Sequence, residues 1–127
     1  MATVLQKEGG DMENLVEQGM LYDFYGPLLT PHQQKIYEMV VYQDLSCGEI
    51  AEQTGVSRQA VSDLIRRVSA QLEDYEQRLG LAGRFRSLRR CCDELDAAAQ
   101  RLSTGETTAG EEAGIIRRCS DRIRKEL

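Results

Sequence analysis

The chain has 127 residues, 29% of them charged and 41% hydrophobic, with no tryptophan, four cysteines and a formal net charge of −5. That length suits one domain, or a small domain with an appendage, and leaves no room for a second full core. No apolar run approaches the roughly 18 residues of a membrane span, and the N-terminus has no apolar signal-peptide stretch, so a cytoplasmic protein without a membrane span is expected. Period-two alternation is missing, only two prolines occur and helix formers dominate, which makes the expected fold class all-α.

In chain order, residues 1–11 read as a flexible tail ending near a glycine pair, and a helix-turn-helix domain is expected over residues 12–80. Leu15, Val16, Met20, Leu21, Tyr22, Phe24 and Tyr25 make a first apolar helix that covers the motif's core, stopped by Gly26-Pro27. Thr30, Pro31 and Gln33 have the spacing of a capping box with proline in the first turn. The helix they start runs to about Tyr42, and Ile36, Tyr37, Met39, Val40 and Val41 give it a wide apolar face.

Residues 46–68, SCGEIAEQTGVSRQAVSDLIRRV, have the spacing of two helices joined by a tight turn. Ala51 is the small residue where the backbones come closest, Gly55 supplies a left-handed turn conformation, and Ser57 is the N-cap of the second helix. Val61, Leu64, Ile65 and Val68 then form its buried face. Ser57, Arg58, Gln59, Ser62, Arg66 and Arg67 are the candidate DNA contacts, because arginine and glutamine read base edges while serine and arginine hold phosphates. The apolar series continues through Leu72, Tyr75 and Leu79 to Gly80, a recognition helix of about 23 residues and ~34 Å. Its far half needs a partner, either the C-terminal third or a second copy of the chain.

Residues 81–127 read as a C-terminal helical hairpin for packing or dimerisation. Phe85, Leu88, Cys92, Leu95, Ala99 and Leu102 recur as a packing seam, residues 103–110 form a polar loop, and Ile115, Ile116, Cys119, Ile123 and Leu127 mark the last helix. The surplus apolar surface of this seam and of the long helix predicts a homodimer.

Residues 1–45 carry 2 basic and 7 acidic groups, residues 46–83 carry 4 and 6, and residues 84–127 carry 10 and 8. Phosphate neutralisation supplies most nonspecific nucleic-acid affinity, so a net negative recognition segment predicts weak or local DNA binding. Arg84, Arg86, Arg89 and Arg90 form one basic cluster and Arg117, Arg118, Arg122, Arg124 and Lys125 another. Either the clusters hold phosphates, or they are solvated faces paired with Asp93, Glu94, Asp96, Glu112 and Asp121. Cys47, Cys91, Cys92 and Cys119 lack metal-ligand spacing and are expected as buried, reduced thiols. No metal or other cofactor is expected; no phosphate-binding glycine loop, no nucleophile paired with histidine and no carboxylate cluster is present, which argues against an enzyme.

Residues 20–81, with the blocks YDFYGPLLT and GVSRQAV, resemble the YlxM family of small bacterial helix-turn-helix proteins. The resemblance implies a bundle similar to region 4 of bacterial sigma factors, without a wing, and a regulatory role connected to the signal recognition particle pathway. Two functions follow as expectations. One is a DNA-binding regulator with its second helix in a major groove; the other is a module that binds signal recognition particle RNA or protein through Arg84, Arg86, Arg89 and Arg90.

Overall fold

The computed structural model describes residues 11–127, with side chains from residue 14 onward, and all regular structure among them is helical. The order is α1 (Asp11–Tyr25), a 3-10 turn (Gly26–Leu28), α2 (Pro31–Val41), α3 (Cys47–Thr54), α4 (Arg58–Leu79), α5 (Leu81–Ser103) and α6 (Ala109–Glu126). Residues 1–10 of the expected tail lie outside the described residues, and Asp11 already belongs to α1. The chain divides into two compact units, the first ending at Gly80 and the second spanning Leu81–Leu127.

In the first unit α1 buries Gln18, Leu21, Tyr22 and Tyr25, which stand one above another at helical spacing. Val16 falls on the opposite side and is exposed, unlike the rest of its expected apolar series. The turn after α1 is tight because Gly26 lies under a ring: a Cβ there would stand 3.0 Å from Tyr22. Thr30 then caps α2 in both directions, its hydroxyl accepting from the Gln33 amide at 3.2 Å while the Gln33 side chain accepts from the Thr30 amide at 3.0 Å. Leu21, Tyr25, Ile36, Tyr37, Val40, Ile50, Val61, Ile65, Val68 and Leu72 form the core, drawing on all four helices of the unit. Burying each of the larger aliphatic side chains is worth ~1.5–3 kcal/mol.

Of the apolar series in the far half of α4, Leu79 is exposed, and the rest finds its cover differently from the sequence expectation. Helix α1 supplies it within the same unit: the Tyr25 and Tyr75 rings lie 5.9 Å apart, Gln18 Nε2 donates to Glu73 at 3.1 Å and the Tyr25 hydroxyl donates to Glu76 at 2.5 Å. Tyr37 of α2 donates to Gln18 at 2.9 Å and shares a 2.8 Å hydrogen bond with Ser69, so three helices meet on one polar node. Leu72 is fully buried in the single chain. The helix ends where the sequence places its stop, at Gly80 with φ 66°, and runs 22 residues.

The second unit is the α5–α6 hairpin. Helix α5 starts at Leu81, directly after Gly80, and passes through Gly83. Its inward side carries Cys91 and Ala98, while Cys92 and Ala99 of the expected seam are exposed. Phe85 and Leu102 of that seam are exposed as well, while Leu88 and Leu95 are half-buried and belong to either register, so the seam is rotated by one residue. The rotation brings Arg101 inward, where Nε and a terminal guanidinium nitrogen each donate at 2.8 Å to the two oxygens of Glu112 on α6. Glu112 is 4% exposed, and the paired guanidinium holds its carboxyl below the usual carboxylate range. All four thiols are free; Cys47, Cys91 and Cys119 are buried as expected, and Cys92 is not. No described helix is long and apolar enough to cross a membrane.

Candidate nucleic-acid interface

The site is built from the start of α3 through the middle of α4. Ser46 caps α3, accepting from the Glu49 amide at 3.1 Å while the Glu49 carboxylate accepts from the Ser46 amide at 2.9 Å. This second capping box has its own signal in the sequence, Ser46-Cys47-Gly48-Glu49, which the spacing around the glycine turn overshadows. Its backbone and side-chain hydrogen bonds hold the Glu49 carboxyl below its ordinary pKa. Gly55 closes the helix with φ 76° and ψ 2°, its amide donating to Ala51 at 3.0 Å. Ser57 starts α4 by accepting from the Ala60 amide at 3.1 Å.

Ser57, Arg58, Gln59, Arg66 and Arg67 are all exposed on α4 or at its cap. Ser62 is not. It is 7% exposed, on the border of the face that also buries Val61 and Ile65, and is withdrawn from the candidate DNA-contacting set. The four buried residues Val61, Ser62, Leu64 and Ile65 in the first two turns make the inward face wider than the four apolar positions indicate.

Two of the exposed side chains share one acid. Gln59 Nε2 donates to Asp63 Oδ1 at 3.0 Å, and the Arg66 guanidinium pairs with the same oxygen. Arg58 reaches back over the first turn of α3, where a Cβ at Gly48 would lie 2.5 Å from a guanidinium nitrogen. The Arg58 guanidinium thus rests over position 48, and nothing in the spacing around Gly55 signals it. Arg67 forms no ion pair among the described residues, and with Asp63, Arg66 and Ala70 it lines a shallow depression on the helix.

The alternative set on α5 is not a single cluster. Arg84 approaches Glu126 at 3.9 Å and Arg86 is half-buried, whereas Arg89 and Arg90 are exposed. Of the acids expected to pair with the arginines, Glu112 and Asp121 do so, Asp121 with Arg124 at 3.6 Å.

An α-helix capped by serine, entered through a left-handed glycine and preceded by a short capped helix defines an all-α helix-turn-helix protein. Comparison with known sequences gives the family: residues 12–111 match the family model UPF0122, described as "Putative helix-turn-helix protein, YlxM / p13 like", and the chain belongs to that family. It is 47% identical over 90 residues to a UPF0122 protein of Symbiobacterium thermophilum, covering 71% of this chain and 84% of that one. A UPF0122 protein of Geobacillus kaustophilus is 46% identical over 84 residues, covering 66% and 76%. One from Desulforamulus reducens is 38% identical over 109 residues, covering 84% and 93%.

Proposed function

We propose that the chain is a cytoplasmic DNA-binding regulator, not an enzyme, that sets the first turns of α4 into a major groove. The observation that carries this reading is the exposed row Ser57, Arg58 and Gln59 at the N-terminus of a capped helix held across α3 by Gly55. The N-terminal residues of the second helix are those that reach base edges in this arrangement. Arg58 and Gln59 supply base-edge donors, Ser57 and Arg67 contact phosphates, and Arg66 joins them when it leaves Asp63.

The reading includes a homodimer on two half-sites and a regulatory role tied to the signal recognition particle pathway, the latter supported by the YlxM resemblance. Light scattering that returns the monomer mass removes the dimer. Since Leu72 is buried within the single chain and α1 packs against Tyr75, the case for a dimer rests on the hairpin, where Leu102 and Ile116 are exposed. The alternative, binding of signal recognition particle RNA or protein through Arg84, Arg86, Arg89 and Arg90, is weakened by the division of those four residues between paired, half-buried and open positions.

Selection of duplex DNA from a random pool by the full chain tests the reading. Arg58→Ala with Gln59→Ala is expected to abolish preference for the selected site, and Arg86→Ala with Arg89→Ala to leave it. The opposite pattern, or unchanged selectivity in the first variant, removes α4 as the reading helix.

A further inference from the structure

The second half of α6 carries Arg117, Arg118, Arg122, Arg124 and Lys125, five cations in nine residues, all exposed. The acids of this helix are largely committed elsewhere. Glu112 is held by Arg101, Glu126 approaches Arg84, and the Glu111 carboxylate accepts from Thr107 at 2.6 Å. Asp121, the one acid inside the cluster, is 3.6 Å from Arg124. Among the described residues Arg117, Arg118, Arg122 and Lys125 form no ion pair.

Three of these cations make one surface. At 3.6 residues per turn Arg118, Arg122 and Lys125 fall within an arc of about 60° and follow one another by about 6 and 4.5 Å along the axis. With Asp121 they line a shallow depression, well round the helix from the buried Cys119 and Glu112. The face has no apolar side chain at its centre. A protein partner needs such an anchor for a stable interface, whereas a phosphate backbone needs only cations at suitable spacing. Guanidinium groups also match phosphate oxygens with two parallel donors.

We infer that Arg118, Arg122 and Lys125 of α6 are a second, sequence-independent contact to the phosphate backbone of duplex DNA. The inference rests on the DNA-binding reading of α4 and supplies what that unit lacks. The chain up to Gly80 holds 6 basic and 13 acidic residues, and Arg66 and Arg78 are paired with Asp63 and Asp74. Counterion release, the source of nonspecific affinity, is then carried by the hairpin, and α4 supplies selectivity.

The test is fluorescence anisotropy of a labelled mixed-sequence DNA duplex with the full chain across a range of salt concentrations. Arg118→Gln with Arg122→Gln and Lys125→Gln is expected to weaken binding and reduce the slope of log K against log salt by about 2 to 3, at roughly 0.9 for each phosphate no longer neutralised. Arg118→Lys with Arg122→Lys keeps the charges and is expected to retain most of the slope, which separates loss of cations from loss of folding; circular dichroism confirms helicity in both. An unchanged slope in the triple variant, or no binding of mixed-sequence DNA by the wild-type chain at low salt, overturns the inference. So does a clear preference for an RNA duplex of the same length carried by the same three residues. Failure of the α4 reading is distinguishable, because it shows as unchanged selectivity in Arg58→Ala with Gln59→Ala whatever the salt slope does.

Discussion

Up to Gly80 the protein buries whole rings and branched side chains: Tyr25, Tyr37, Ile36, Ile50, Ile65 and Leu72 are all at most 1% exposed. From Leu81 onward the buried positions are Ala82, Cys91, Ala98, Cys119 and the carboxylate of Glu112. Four helices can enclose large side chains, whereas two helices leave most of each surface in water and pack best where small residues let the backbones approach. The hairpin therefore relies on a charged clasp, the two-pronged Arg101–Glu112 pair, where the first unit relies on aromatic hydroxyls bonded to Glu38, Glu76, Gln18 and Ser69. Charge follows the same division: the well-packed unit is acidic and two of its arginines are tied to neighbours, while the thinly packed unit keeps open cations. The unit with the better-defined shape is thus the one less suited to attract a polyanion.

The largest test of this contrast is Leu72→Ala. Its side chain, on the far half of α4, is fully buried, and removing it is expected to cost about 2–5 kcal/mol in urea unfolding. Amide exchange should show the loss in α1, α2 and α4 while protection in α5 and α6 stays as in the wild type. Parallel loss of protection in both units would mean that they do not fold as separate cores.

Proton linkage should separate the units next, and in opposite directions. Burial pushes the Tyr37 hydroxyl up to about 12, with the charge of Glu73 adding to the shift and the Ser69 hydrogen bond opposing it. Tyr22 is raised as well, by burial and its bond to Glu38. A tyrosine raised on folding stabilises fully below its ordinary value of 10, and that contribution is lost as pH climbs through 10 toward 12. Glu112 is the reverse case. Its folded pKa is depressed by Arg101, so its contribution is present above the ordinary 4.5 and disappears as pH falls through the lowered value. Alkali should open the helix-turn-helix unit through its raised tyrosines, against the single buried Cys119 thiol that burial raises in the hairpin, and acid should open the hairpin, with Glu49 at the start of α3 the acid-sensitive cap of the first unit. Tyrosine absorbance and residue-resolved amide exchange read the two transitions; a common order at both extremes would break the contrast.

How far the sequence can be read also differs between the units. Thr30 with Gln33, Gly55, Ser57 and Gly80 each have one local job, set by backbone geometry, and all four do it. In the hairpin the pattern is degenerate, because Cys91 and Cys92, and Ala98 and Ala99, are identical neighbours that fit two seams about the same Leu88 and Leu95. The pair Arg101–Glu112 resolves the choice, and it joins residues eleven apart across a loop, beyond any helical period. Side chains at the candidate interface are harder still. Ser62 looks polar and outward in the sequence yet lies on a wide buried face, and the rest of Arg58 over Gly48 depends on how α3 crosses α4.

Asp63 offers the smallest and most local test, inside the candidate interface itself. The acid accepts from Gln59 and pairs with Arg66, so in the free protein two of the proposed reading residues are held by one carboxylate. The Arg66 and Asp63 side chains are 57% and 45% exposed, and such a surface pair contributes at most about 1 kcal/mol to stability. Asp63→Asn keeps the shape and the hydrogen bond to Gln59 but removes the charge that competes with phosphate. Folding should change little, duplex affinity should rise, and the salt slope should steepen by about 0.9, the value of one further neutralised phosphate. An unchanged slope would place Arg66 away from the backbone. A fall in affinity confined to particular sequences would mean that Asp63 itself accepts from a base, since a carboxylate can take the amino group of cytosine in the major groove. In that case the acidity of the first unit serves selectivity, and the division of labour between α4 and the cations of α6 becomes sharper.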